Sequence, residues 1–260
     1  VEKVEDPVFE ISLEEAKQLV SGAERGDELL IEVKPEDFGR IAAQTAKQVV
    51  RQRLREIEKD VVYNEFKQRE GEMIVGYFQR ERNGTIYVNL GRTEGIMPRN
   101  QQSPREHYSV GDRIKALLLE VKKGPRGPQI ILSRSHPSFV KKTFELEVPE
   151  LADGTIVIKN IVRDPGYRTK VAVHSPREEI DPVGACVGLR GVRIQAIVGE
   201  LEGEKIDIVK WDSDLRRYIE NAMNPVKIAK TVFTDDDKTE AMIVVPDSQL
   251  AIAIGRQGQN

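Results

Sequence analysis

Two glycine-bounded loops, Gly188-Leu189-Arg190-Gly191 and Gly255-Arg256-Gln257-Gly258, carry the clearest chemistry in the sequence. Each sets two glycines three apart, and the second copy begins 67 residues after the first. Glycine admits positive φ, and it lets a second chain approach the backbone where a Cβ would collide. If such a loop joins the end of one helix to the start of another, the uncapped amides of the second helix face outward, and the helix dipole favours negative charge there. The chemistry is then anion binding, with a phosphate as the natural ligand. Arg190, Arg193 and Arg256 add positive charge in or beside the loops. One Gly-x-x-Gly is an ordinary turn in most chains, but two in matched surroundings form a repeat.

The surroundings do match. Alternation predicts strands over 156–162 and 169–173, turned by Asp164-Pro165-Gly166, then a helix over 182–187, the loop, a helix over 192–201 and a strand over 206–209. The second copy reads as strands over 226–233 and 241–245 and a helix over 248–254, and the sequence stops at Asn260 before a second helix. This order resembles the bacterial-type (type II) KH domain. The resemblance implies that about four unpaired nucleotides are held, the backbone at the Gly-x-x-Gly loop and the bases in an apolar groove. Val171, Val173, Val187 and Ile194 are groove candidates in the first copy and Ile243, Ile252 and Ile254 in the second, each equally explained as core. The short Asp212-Ser213-Asp214 connection favours a rigid pairing of the copies.

Upstream of residue 136 the period is that of a small β-barrel. Met73, Val75 and Tyr77 alternate, Asn83-Gly84 supplies a tight hairpin, and Ile86, Val88 and Leu90 continue beyond it. With strands over 113–121 and 129–133, five short strands lie between residues 71 and 135. The stretches "GEMIVGYF", "GTIYVNLGRTEGIMP", "VGDRIKALLLEV" and "QIILSRS" resemble an S1-type OB-fold barrel, which implies single-stranded RNA bound by aromatic stacking and by basic side chains along the phosphates. Tyr77, Phe78, Tyr87 and His107 are the stacking candidates, and strand alternation turns about half of such residues inward.

Residues 1–36 carry eleven acidic against four basic side chains, and Ser12 with Glu15 reads as a capping box for a helix over 13–20, before a strand over 29–33. From Pro35 a long helix is expected, with Phe38, Ile41, Ala42, Thr45, Val49, Leu54, Ile57, Val61, Val62 and Phe66 as one buried stripe. Residues 121–144 hold Lys122, Lys123, Arg126, Arg134, Lys141 and Lys142 and no acid, so a local positive field is expected despite the net charge of −3. Lys122, Lys123, Arg126 and Arg134 therefore join the loop residues as RNA-binding candidates.

The remaining composition narrows the function class. At 39% hydrophobic and 32% charged the 260 residues can bury cores. Length leaves the number of domains open, since domains of ~70 residues are common enough beside larger ones. No apolar run reaches the ~18 residues of a membrane span, and the acidic start lacks the pattern of a secretory signal, so a cytoplasmic protein is expected. A single cysteine, Cys186, excludes an internal disulfide, and His107, His136 and His174 lie too far apart in sequence for a zinc set. Asp235-Asp236-Asp237 reads as a hairpin turn in preference to a magnesium site, and Cys186 as a small buried residue. No catalytic residue, metal or cofactor is assigned.

The stretches "RIAAQTAKQVVRQRLREIE", "VRDPGYRTKVAV", "IDPVGACVGLRGVRIQAIVGELEGEKIDIVKW" and "AIAIGRQGQN", around an S1-type barrel, resemble the bacterial transcription termination/antitermination factors of the NusA family. The resemblance implies a monomeric elongation factor that joins RNA polymerase through its N-terminal domain and meets nascent single-stranded RNA, alongside other termination and antitermination factors. It also implies effects on pausing, intrinsic termination and antitermination. The start at Val1 without methionine suggests a fragment. The expected architecture is multidomain α+β: a partial polymerase-binding domain and connector helix (1–70), the barrel (71–135), a first KH domain (136–211) and a second, incomplete one (212–260). A polymerase-independent RNA-binding protein shares these modules. So does an RNA-processing enzyme of the polynucleotide phosphorylase kind, but there the KH domain precedes the barrel.

Overall fold

The computed structural model describes residues 10–29, 39–125, 127–237 and 239–260, without the side chains of Arg40, Ile41 and Gln257. The strand expected over 29–33, the helix start at Pro35, Phe38 and Arg126 thus lie wholly or almost wholly outside the described residues. The chain divides into two compact units, Val1–Ile57 and Glu58–Asn260.

In the first unit, helix α1 (Leu13–Leu19) begins at the expected capping box: Glu15 N–H donates to Ser12 Oγ at 3.3 Å and Ser12 N–H to Glu15 Oε2 at 3.2 Å. Helix α2 (Arg40–Lys67) crosses the division between the units. Its expected buried stripe is corrected. Val49, Leu54, Ile57 and Val61 are each at least half exposed, and among the described residues of the stripe only Phe66 is buried, with Val62 and Tyr63 packed beside it. Helical spacing sorts side chains onto a face, but burial needs a partner for that face, and among the described residues that partner is the barrel at the last turns.

The second unit opens with the barrel. Strands β1 (Met73–Arg82), β2 (Thr85–Asn89), β3 (Glu94–Met97), β4 (Arg113–Gly124) and β5 (Gly127–Ser133) close in the order β1-β2-β3-β5-β4. Asn83 and Gly84 have φ of 52° and 72°, as a two-residue primed turn requires, and set Arg82 opposite Thr85. Ile74, Phe78, Val88, Met97, Ile114, Leu118 and Ile130 fill the interior, and Phe66 adds to it from α2. Strand β4 also serves a second core. Its inward Ile114, Ala116 and Leu118 line the barrel, whereas Leu117, pointing the other way, is 1% exposed and packs with Phe139 and Val140.

Phe139 and Val140 belong to helix α3 (Pro137–Glu147), which with the short α4 (Pro149–Ala152) precedes the first KH sheet. Neither helix was expected. Strands β6 (Val157–Asp164), β7 (Arg168–His174) and β8 (Lys205–Lys210) lie in the order β6-β7-β8, antiparallel then parallel, and helices α5 (Pro182–Val187) and α6 (Val192–Glu200) connect β7 to β8. The parallel β7/β8 pair needs that helical crossover, and the α-β-β-α-α-β order is the type II KH arrangement. A buried carboxylate locks the sheet corner: Glu204, 0% exposed, accepts two bonds from Arg163 Nε and Nη2, one from Gly166 N–H at 2.7 Å and one from the Thr169 hydroxyl.

The second copy follows as α7 (Leu215–Met223), β9 (Lys230–Phe233), β10 (Ala241–Val244) and α8 (Leu250–Ile254), with β9 and β10 antiparallel. Helix α7 was not expected, although Asp214 caps it by accepting from Arg216 N–H. The strand expected from 226 begins at Lys230, and the helix expected from 248 begins at Leu250 after a 3-10 turn at Asp247–Gln249.

Candidate nucleic-acid interface

The two loops set their glycines alike. Gly188 sits at φ 74°, ψ 170° and Gly255 at φ 71°, ψ 179°, while Gly191 and Gly258 have φ of 78° and 74°. In each, the amide of the first glycine closes the preceding helix, Gly188 N–H to Gly184 O at 2.9 Å and Gly255 N–H to Ala251 O at 3.0 Å. A Cβ on Gly191 would meet nothing closer than 3.7 Å, and one on Gly258 nothing within 4 Å, so the outer glycines face open space. Among the described residues no side chain caps α6 at Gly191; the Val192 amide donates back to Leu189 O, which leaves the amides that follow it for whatever occupies the loop mouth. Leu189 is 86% exposed, Arg190 and Arg256 are exposed, and neither arginine carries an ion pair among the described residues. Backbone donors and free guanidinium groups at one corner suit a phosphodiester.

Arg193 is corrected. Its guanidinium turns back under Gly188, donating to Ala185 O at 2.7 Å and pairing with Glu150 at 3.0 Å, so it braces the loop from below.

Arg134 is corrected more strongly. Its side chain is 4% exposed, with both Glu106 oxygens at 2.5 and 2.7 Å and the Glu200 carboxylate at 3.5 Å. Burial alone works against its charge, but the Glu106 hydrogen bonds and charge outweigh this and raise its pKa. Arg134 is out of reach of RNA.

The acid-free run is likewise neutralised in space. Lys122 pairs with Glu120 at 2.9 Å, Lys123 with Asp60 at 3.3 Å, and Lys141 and Lys142 with Glu145. These pairs are exposed and worth only ~0–1 kcal/mol each, so Lys122 and Lys123 remain able to exchange a carboxylate for a phosphate.

On the barrel, Phe78 is core, whereas Tyr77 is 56% exposed on the outer face of β1, directly opposite Asn89 of β2 and Arg113 of β4. Tyr87 is half-buried with one ring face covered by the Arg80 guanidinium, 4.2 Å from the centroid, and Arg80 is itself held by Glu94. His107 is exposed on the loop before β4, with Nδ1 3.0 Å from Arg105 O. Tyr77 beside Arg113 is therefore the better candidate for stacking. The β1 alternation that buries Phe78 is the signal that places Tyr77 outward.

Of the groove candidates, Val171 and Val173 are 0% exposed and are core, Val187 and Ile194 are half-buried, and Ile252 and Ile254 are 56% and 53% exposed. The two KH copies touch. Lys170 Nζ donates to Ala222 O at 2.6 Å and to Asn260 Oδ1 at 2.9 Å, and Gln259 Nε2 to Asp164 Oδ2 at 3.1 Å. Between them runs a groove of about 710 Å³, with Arg168, Lys170 and Tyr218 on its walls. Burial, and then Arg168, lower the pKa of Lys170.

Asp235 closes the β9–β10 turn, accepting from the Thr239 hydroxyl and from the Thr239 and Glu240 amides. Among the described residues no cluster of His, Cys, Asp and Glu is arranged to hold a metal ion, and no helix is long and apolar enough to cross a membrane. Cys186 is fully buried, and burial followed by the Glu150 charge pushes its thiol up to about 11.

A closed five-stranded barrel followed by two KH folds with duplicate open glycine loops defines a multidomain chain of RNA-binding modules. Family models agree: the S1 RNA binding domain matches residues 67–135, the NusA-like first KH domain 134–211, the NusA-like second KH domain 215–260 and the NusA N-terminal domain 1–60. Curated relatives named transcription termination/antitermination protein NusA are 51% identical in Halalkalibacterium halodurans, 49% in Bacillus subtilis and 46% in Borreliella burgdorferi. Each alignment covers 100% of this chain and, respectively, 68%, 70% and 54% of the relative. The chain belongs to the NusA family.

Proposed function

We propose that this chain is the RNA- and polymerase-engaging part of a transcription elongation factor. It holds nascent single-stranded RNA at Gly188–Gly191 and Gly255–Gly258 and along the outer barrel face, and it joins RNA polymerase through its N-terminal region. In that position it modulates pausing, intrinsic termination and antitermination, together with other factors of those processes. The domain division is 1–70, 71–135, 136–211 and 212–260. The protein works in the cytoplasm as a monomer, without cofactor and without catalysing a reaction.

The observation that carries this reading is the pair of loops with matching glycine φ, each with an exposed arginine that has no ion pair among the described residues. Polymerase association rests on the family and on the match of residues 1–60 to the NusA N-terminal domain. Fluorescence anisotropy with labelled single-stranded RNA tests the first part, with binding expected for the wild type and lost on changing the outer glycines to Asp. Co-purification with core RNA polymerase tests the second. RNA affinity indifferent to both loop changes in a folded protein removes the RNA reading, and failure to retain the enzyme removes the polymerase reading.

A further inference from the structure

Arg134 ends the barrel, yet its guanidinium reaches into the first KH fold. All five of its N–H donors are engaged. Nε and Nη2 grip Glu106 of the barrel, and Nη1 donates to Lys115 O of β4 at 2.6 Å and to the Glu200 carboxylate at 3.5 Å. Nη2 also donates to Glu200 O at 2.7 Å. The guanidinium lies over the Phe139 ring at 4.7 Å, and Lys115 Nζ adds a 2.5 Å bond to Glu200 Oε2.

Glu200 is the last residue of α6, whose first residue, Val192, follows the Gly188–Gly191 loop. A carbonyl at a helix C-terminus lacks an intrahelical donor, and Arg134 satisfies this one. The same nine-residue helix thus has the phosphate loop at one end and a barrel arginine fastened to the other, a span of ~13 Å at 1.5 Å per residue. A planar fork with fixed donor directions sets an angle as well as a distance, which a lysine on a flexible stem cannot do.

We propose that Arg134 is a positioning residue that sets the bearing of the first Gly-x-x-Gly loop relative to the barrel, so that a single RNA strand engages both at once. The proposal rests on the reading that both modules bind RNA. Two sites held at a fixed separation make the second contact intramolecular, and that gain disappears when the geometry loosens.

The test uses the whole chain and two single-stranded RNAs, one of about four nucleotides, enough for one KH loop, and one long enough to reach the barrel as well. In the wild type the long RNA is expected to bind at least ~100-fold more tightly. Arg134→Lys keeps the charge facing Glu106 and removes the fork. It is expected to cut that ratio about tenfold or more while the short RNA binds as before. If Arg134→Lys does not fold, Lys115→Met with Glu200→Gln weakens the same seam and leaves Arg134 paired to Glu106. A folded variant with the wild-type ratio overturns the proposal and reduces Arg134 to a stabilising residue. A wild type that binds both RNAs equally also overturns it, with RNA binding intact, whereas a wild type that binds neither sinks the RNA reading itself.

Discussion

Arg193 and Asn260 hold the same place in the two loops. Each stands five residues after the first glycine, Gly188 or Gly255, and each reaches back to the carbonyl three residues before it. Arg193 donates to Ala185 O at 2.7 Å and Asn260 to Ile252 O at 3.0 Å. Both side chains lie against the inner glycine, where an added Cβ would come 2.8 Å from Arg193 Cγ or 3.1 Å from Asn260 Cβ. The inner glycines therefore make room for a brace, and the outer ones face open space.

That division of labour separates two substitutions. Gly188→Ala places a Cβ against the brace at a backbone geometry suited almost only to glycine, and is expected to cost ~1–3 kcal/mol of stability. Gly191→Asp enters open space in the left-handed region that Asp tolerates, and costs ~1 kcal/mol or less. It nevertheless sets a carboxylate at the proposed phosphate position, so RNA affinity should fall at least ~10-fold. Thermal melts and anisotropy titrations on the two variants check both halves.

Aromatic stacking contributes ~1–3 kcal/mol per base in single-strand binders. Tyr77→Ala is expected to lose a comparable amount of affinity for RNA long enough to reach the barrel, with the melting temperature nearly unchanged. Tyr87→Ala should cost less affinity, since Arg80 already covers one face of that ring. Equal losses, or none for Tyr77, would move the platform elsewhere.

Replacing Lys122, Lys123 and Arg126 by Ala should flatten the plot of log K against log salt by ~0.7 for each cation that meets a phosphate of a single strand. Glu120 and Asp60 compete for the two lysines. A slope identical to the wild type would take the β4–β5 turn off the RNA path.

The Cys186 thiol is expected to ignore a thiol reagent at pH 8 until the protein unfolds. Its folded pKa, about 11 against an ordinary 9.0, also couples to stability. The folded state binds that proton more tightly than the unfolded one, so the contribution, about 2–3 kcal/mol, is complete below pH ~9 and is lost as pH rises through ~11. Denaturant melts from pH 8 to 11 should show a steeper decline for the wild type than for Cys186→Ala.

Local signals were legible wherever backbone chemistry decides the outcome. Asn83-Gly84 marked its hairpin, Ser12 with Glu15 their cap, and the four loop glycines their positive φ, because each depends on the residue itself. Side-chain engagement was not legible, because it depends on partners far away in the chain. Arg134 sits in an acid-free window, yet Glu106 and Glu200 stand 28 and 66 residues from it. Val49 to Val61 keep helical spacing, but spacing does not reveal whether anything covers them. Helix α3 had a readable start in Pro137 and a readable face in Phe139, Val140, Thr143 and Phe144.

Strand β4 gives alternate side chains to two different interiors, Leu118 to one and Leu117 to the other. The textual border between the barrel and the first KH fold is consequently not a place to cut. A piece ending near residue 135 would carry raw grease on its flank and invite clumping, while the remainder would lack part of its filling. In this chain the two modules are welded through one strand.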